Sequence, residues 1–189
     1  TVVMFTDASK SGWGAVLLCK GTLYHFGGRW SADEATADIN VLETLAVRNA
    51  AAHFAQHIAD EDLLLVVDNT TAMHSIVRGS AQAGRLNAAV GGALVALGLA
   101  KPITIRIVYV ESELNPSDAP SRGHAPVCSI GQLEATIRRL LAEPRPATQT
   151  AKRDVRTPHA RWGSTCAGAS GGLRAGAPMP RCNLAPCMA

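Results

Sequence analysis

The chain has 189 residues, 47% of them hydrophobic and 17% charged, which suits one globular domain with some chain to spare. No apolar run approaches the roughly 18 to 20 residues that cross a bilayer, and five cysteines at scattered spacings do not form a disulfide framework, so a membrane protein is excluded and a reducing, intracellular setting is expected. The net charge of +3 is unevenly spread: residues 1–122 carry nine Lys/Arg against twelve Asp/Glu, whereas residues 123–189 carry nine against three.

Residues 1–9 open with strand composition (Val2, Val3, Met4, Phe5) and stop in Thr6-Asp7-Ala8-Ser9, a turn-forming end. No basic and apolar leader precedes them, so the chain reads as a domain of something longer. Gly12-Trp13-Gly14 leads into a second run, 15–19, and Lys20-Gly21 turns into a third, 22–30. Three short runs with tight turns predict an antiparallel meander. From Ala37 the period changes: Ile39, Leu42, Ala46, Ala50 and His53 or Phe54 recur at helical spacing, predicting an amphipathic helix to about Ile58. The run 63–67, Leu-Leu-Leu-Val-Val, has the continuous apolarity of a strand covered on both faces. Asp68-Asn69-Thr70-Thr71 suits a helix N-cap, with a short helix to about Arg78. Residues 79–84 are a loop, and 85–100 form an Ala/Leu-rich helix ending before Lys101-Pro102. The β-branched alternation of 103–109 predicts a fifth strand. After a polar loop, 129–142 forms a last amphipathic helix. Residues 144–189 hold six of the ten prolines and three of the five cysteines with no periodicity, so a disordered basic tail is expected there and a domain over 1–143. This order of elements predicts an α/β fold: one mixed five-stranded sheet, strands 1–3 antiparallel and strands 4–5 parallel, flanked by helices.

Functional residues in such a sheet sit at strand ends, and of four notable acids two end apolar strands, one lies on the inward side of a helix and one starts a late helix. Asp7 ends the first strand and taken alone reads as a turn former. Asp68 ends the most apolar run and reads as an N-cap; Asp118, in Asn115-Pro116-Ser117-Asp118, likewise reads as a cap. Glu43 shares a helical face with Ile39, Ala46 and Val47, so it lies on or beside the buried side. A buried carboxylate without a partner costs several kcal/mol by roughly estimated desolvation, and either a cation or a nearby Arg would answer that cost. Convergence of the four acids would raise their pKa values by mutual repulsion unless cations neutralised them. Two divalent ions would do so, and all-oxygen ligands select Mg²⁺ or Mn²⁺. Such ions about 3.5 to 4 Å apart activate water and stabilise a leaving oxygen.

Thr6-Asp7-Ala8-Ser9 with Gly12-Trp13-Gly14-Ala15, Ile39-Asn40-Val41-Leu42-Glu43, Val67-Asp68-Asn69-Thr70-Thr71-Ala72, and Asn115-Pro116-Ser117-Asp118-Ala119-Pro120-Ser121-Arg122 together resemble the ribonuclease H domain of retroelement reverse transcriptases. The Ile-Asn-x-Leu-Glu form is most similar to DIRS-type elements, which use a tyrosine recombinase. The resemblance spans residues 1–122 in the family's order and implies an RNase H-like fold that cuts the RNA strand of an RNA–DNA hybrid, using two Mg²⁺ ions with Mn²⁺ as a substitute. Carried over by motif, the ligands are Asp7, bridging both ions, Glu43 and Asp68 on the leaving-group side, and Asp118 on the water-activating side. The products would be a 3′-hydroxyl and a 5′-phosphate. Ser9 and Asn69 are candidates for contact with the 2′-hydroxyl that marks RNA. A polymerase domain is the implied neighbour.

The sequence departs from the family in three respects. Residues 109–117 contain no His, where the family often carries one for proton transfer or product release; His124 comes only after Asp118. Pro120 stands where related elements have Leu, which predicts a distorted last helix. The basic substrate-gripping insertion is missing, since residues 79–85 supply only Arg85 beside Arg78, so weak intrinsic binding to a polyanion is expected. A catalytically silent module that binds nucleic acid or scaffolds a polymerase is the alternative, and a strand-transferring integrase or transposase a more distant one. Trp13 and Trp30 read as packing residues, and His53 and His57 as a solvated helix face. Cys166, Cys182 and Cys187 with His159 do not match zinc-knuckle spacing.

Overall fold

The structure, a computed structural model, describes residues 1–142. The expected tail, 144–189, with its cysteines and His159, lies outside the described residues. The strands are β1 (Val2–Ala8), β2 (Gly12–Cys19), β3 (Thr22–Arg29), β4 (Asp62–Val67) and β5 (Thr104–Tyr109). They form one sheet in the order β3-β2-β1-β4-β5. β1 and β2, and β2 and β3, pair antiparallel; β1 and β4, and β4 and β5, pair parallel. The predicted mixed sheet is therefore present. The helices are α1 (Ala32–Ala35), α2 (Ile39–His53), α3 (Ala55–Ile58), α4 (Thr70–Arg78), α5 (Gly84–Ala100), α6 (Asp118–Ser121) and α7 (Ile130–Ala142).

Alternation along the strands sends side chains to two cores. Val2, Met4, Ala15, Leu17, Leu63 and Leu65 pack with α2 and α5, whereas Val3, Phe5, Val16, Leu64 and Val66 pack with Leu133 and Leu140 of α7. This explains the unbroken apolarity of 63–67: both faces of β4 are covered. Among the described residues no helix is long and apolar enough to cross a membrane.

Two local expectations are corrected and a third gains detail. The helix expected to reach Ile58 breaks at Phe54, whose backbone leaves helical geometry (φ −94°, ψ 16°) and whose ring is buried; no Gly or Pro marks this break. His53 is exposed, as a solvated helix face requires, and His57 is half-buried. They lie on the aromatic face of β3, His53 stacked on Phe26 at 3.8 Å between ring centroids and His57 beside Tyr24 at 4.6 Å. Burial, helped by the neighbouring His57, lowers the His53 pKa. Pro120 distorts no long helix, because α6 is a single turn of four residues, and a proline in the first turn forfeits no intrahelical N–H bond.

Candidate active site

The sheet topology creates the site. β1 and β4 run parallel as neighbours, and their pairing ends at Thr6 opposite Val67. The next residues, Asp7, still paired with Gly14 of β2, and Asp68, just past the end of β4, therefore stand side by side, one interstrand spacing of about 4.8 Å apart. α2 supplies the third acid. Asp38 caps it by accepting from the Val41 N–H at 3.2 Å, and Glu43, in the second turn, reaches the end of β1, where the Ala8 N–H donates to its carboxylate. Asp7, Glu43 and Asp68 each offer an oxygen within 4.8 Å of the others.

Burial makes this cluster electrostatically costly. Glu43 and Asp7 are each 5% exposed. Desolvation, reinforced by the charges of Asp68 and Asp7, pushes Glu43 up to about 9. Desolvation also lifts Asp7 to about 6, with the Ser121 side chain pulling it down and the Asp68 and Asp118 charges pushing it up. Glu43 Oε2 and Asp68 Oδ1 are buried without a hydrogen-bond partner. The Arg that might have answered Glu43 is absent from the described ion pairs; Arg48, on the same helix, is paired with Glu34 at 2.7 Å. Buried, orphaned carboxylate oxygens without a cationic side chain fit a hard, oxygen-seeking divalent ion; the same chemistry admits Mg²⁺ and Mn²⁺.

The N-cap reading of Asp68 is corrected too. Asn69, one residue later, caps α4 by accepting from the Ala72 N–H at 2.9 Å, which leaves the Asp68 carboxylate to face Asp7 instead of the helix end. The other end of the Asn69 amide donates to Asn40 Oδ1 at 3.0 Å, joining the start of α4 to the start of α2. Ser9, the other 2′-hydroxyl candidate, is similarly engaged: its hydroxyl donates to the Ser121 carbonyl at 2.7 Å and accepts from the Gly12 N–H at 3.1 Å. Trp30 Nε1 donates to the Ser9 carbonyl at 2.8 Å, and Trp13 is 7% exposed, so both tryptophans are packing residues.

Asp118 lies beside the other three acids without joining their cluster. It is the first residue of α6 and caps nothing; Arg122, one turn on, donates to it from Nη2 at 2.8 Å and from Nε at 3.1 Å. Its side chain is 48% exposed. The preceding loop is anchored by buried Asn115, which donates to the Thr6 carbonyl at 2.9 Å and accepts from the Ser117 N–H at 3.1 Å. α6 itself lies directly on β2 and β3. A Cβ on Gly14 would stand 2.2 Å from the Ser121 nitrogen, and one on Gly27 would stand 2.5 Å from the Pro120 carbonyl oxygen. Gly14, Asn40, Asn115 and Ser121 stand in the quoted motifs without an assigned task, and Gly27 stands outside them; all five position the site.

No family model and no curated protein matches the sequence. Solved structures do match in fold. RNase H1 from the halophilic archaeon Halobacterium salinarum NRC-1 aligns over 62% of this chain and 90% of its own, at 18% identity and a TM-score of 0.50. The N-terminal RNase H domain of Rv2228c from Mycobacterium tuberculosis aligns over 65% and 97%, at 17% identity and 0.51. This chain has the RNase H fold. LC11-RNase H1, solved in complex with an RNA/DNA hybrid, aligns over 66% of this chain and 96% of its own at 14% identity and 0.50. In this RNase H fold the carboxylate cluster stands at the carboxyl ends of the two central parallel strands.

Proposed function

We propose that the protein hydrolyses the RNA strand of RNA–DNA hybrids, as the ribonuclease H domain of a DIRS-type retroelement reverse transcriptase adjoining a polymerase domain. The observation that carries this reading is the meeting of Asp7, Glu43 and Asp68, with two orphaned oxygens, at one end of an RNase H sheet. Those three residues would hold divalent cations, and Asp118 would join them by exchanging its bonds to Arg122 for a place beside Asp7. Bound there, Mg²⁺ or Mn²⁺ would supply a polarised water and charge neutralisation at the leaving oxygen. The protein's own part is positioning. Asn115 holds the Asp118 loop to β1, Asn69 and Asn40 hold Glu43's helix against the Asp68 turn, and the glycine-lined strand face seats α6. Contact of Ser9 or Asn69 with a 2′-hydroxyl would add to, or replace, the internal bonds those side chains make.

Asp68→Asn removes one charge and keeps the shape. Cleavage of a labelled hybrid in Mg²⁺ should disappear while circular dichroism and the melting temperature stay close to wild type. Cleavage by the variant at the wild-type rate refutes the assignment. The Asp118–Arg122 pair favours a second reading, a silent module that binds nucleic acid. Hybrid binding by the wild type without cleavage in either Mg²⁺ or Mn²⁺ selects that reading, and cutting of duplex DNA would select strand-transfer chemistry instead.

A further inference from the structure

The expectation of weak intrinsic binding to a polyanion follows from charges read along the chain, but the fold gathers them. His25 and Arg29 are four residues apart on β3 and therefore share a face; their partners on β2 are Val16 and Gly12. α6 packs on that same face, and the segment leaving it brings Arg122 and His124 opposite. The four side chains line a cavity of about 770 Å³, and no Asp or Glu lines it. His25, Arg29, Arg122 and His124 are all exposed. Arg122 spends Nε and Nη2 on Asp118, and a guanidinium carries five N–H donors, so it can link the carboxylate site to the groove. Gly12 and Gly27 keep the β-strand wall low between the basic groups. A concave site with donors, fixed positive charge and no acid, Phe, Tyr or Trp in its lining suits phosphodiester oxygens rather than an apolar ligand.

We infer that this groove grips backbone phosphates of the nucleic acid whose RNA strand is delivered to the carboxylates. The inference rests on the hybrid-cleavage reading and replaces the missing basic insertion with residues drawn from β3 and the segment after α6. Arg29 and His25 touch none of the four acids, so Arg29→Ala/His25→Ala tests the groove without altering the carboxylate site. Binding of a labelled RNA–DNA hybrid is measured with the full chain in EDTA across a salt series. The double variant should bind roughly ten-fold more weakly near 0.1 M salt, and the slope of log K against log salt should shrink by about one. Arg29→Lys, with His25 intact, should retain the slope, since it keeps the charge. A blunt duplex DNA of the same length should lose affinity in parallel, because phosphate contacts do not distinguish sequence. In Mg²⁺, KM should rise with kcat unchanged. If the double variant melts like wild type and keeps both its affinity and its salt slope, the groove proposal is wrong, whatever the cleavage result. If the wild type cuts no hybrid but the variant loses affinity as described, the hydrolase reading fails and the groove stands.

Discussion

Replacing Glu43 with Gln should stabilise the protein in the absence of metal at neutral pH, although the residue is buried and belongs to the candidate active site. Glu43 titrates near 9 in the folded protein against 4.5 for an unperturbed carboxyl. Between those values the folded chain keeps a proton that the unfolded chain releases, so stability falls as pH rises from about 4.5 towards 9. At pH 7 the accumulated loss is about 3 kcal/mol. Gln cannot ionise in the unfolded state, so it escapes that loss; its carbonyl can still accept from the Ala8 N–H, and its amide can donate to the neighbouring carboxylates. In EDTA at pH 7 Glu43→Gln should therefore melt roughly 6 to 12 °C above wild type, and the two should converge near pH 4. Added Mg²⁺ should reverse the order of benefit: an ion at a hundred times its Kd contributes about 2.7 kcal/mol to a protein that binds it, and the wild type, with the full set of acids, should gain more. Thermal melts monitored by circular dichroism across pH 4 to 8, with EDTA or Mg²⁺, provide the measurement. A variant no more stable than wild type at pH 7 without metal, or an equal Mg²⁺ response in both proteins, refutes the reasoning.

The same protonation state predicts that ion binding displaces a proton. Calorimetry at pH 7.5 in buffers of different ionisation enthalpy should detect release of about one proton per cluster filled, and affinity should rise with pH towards 9. Gly14→Ala puts a Cβ against the backbone of α6, so it should cost about 1–3 kcal/mol by overpacking and depress cleavage by displacing Asp118; urea denaturation and hybrid cleavage check the two effects. Asn69→Ala removes the α4 cap and the bond to Asn40, with an expected loss of about 1 to 2 kcal/mol in the same denaturation assay.

Much of the fold was legible from period and punctuation. The alternation of 103–109, the helical stripe from Ile39 and the apolar block 63–67 each reflect local burial, and local burial is written in neighbouring residues. The break at Phe54 and the stacking of His53 on Phe26 were not legible, because a buried ring and a ring stack between segments distant in the chain are tertiary contacts. The acids show the same division. That Glu43 belongs to a buried helix could be read from its neighbours; that no arginine accompanies it could not, since only the folded chain directs Arg48 to Glu34.

The sequence alone determined the order of elements and the placement of four acids, two at strand ends, one at a helix start and one on a helix's buried face, because turn chemistry and hydrophobic period act over a few residues. Tertiary structure decided which acids meet. Setting β1 beside β4 brings Asp7 and Asp68 together across some sixty residues of chain, the cap at Asn69 leaves Asp68 to face Asp7, and the bond from Arg122 holds Asp118 to one side. Tertiary structure also decided where positive charge collects: His25 and Arg29 meet Arg122 and His124 only because the glycines of β2 and β3 let α6 lie against the sheet. Electrostatics depends on distance through space, and chain separation does not specify that distance.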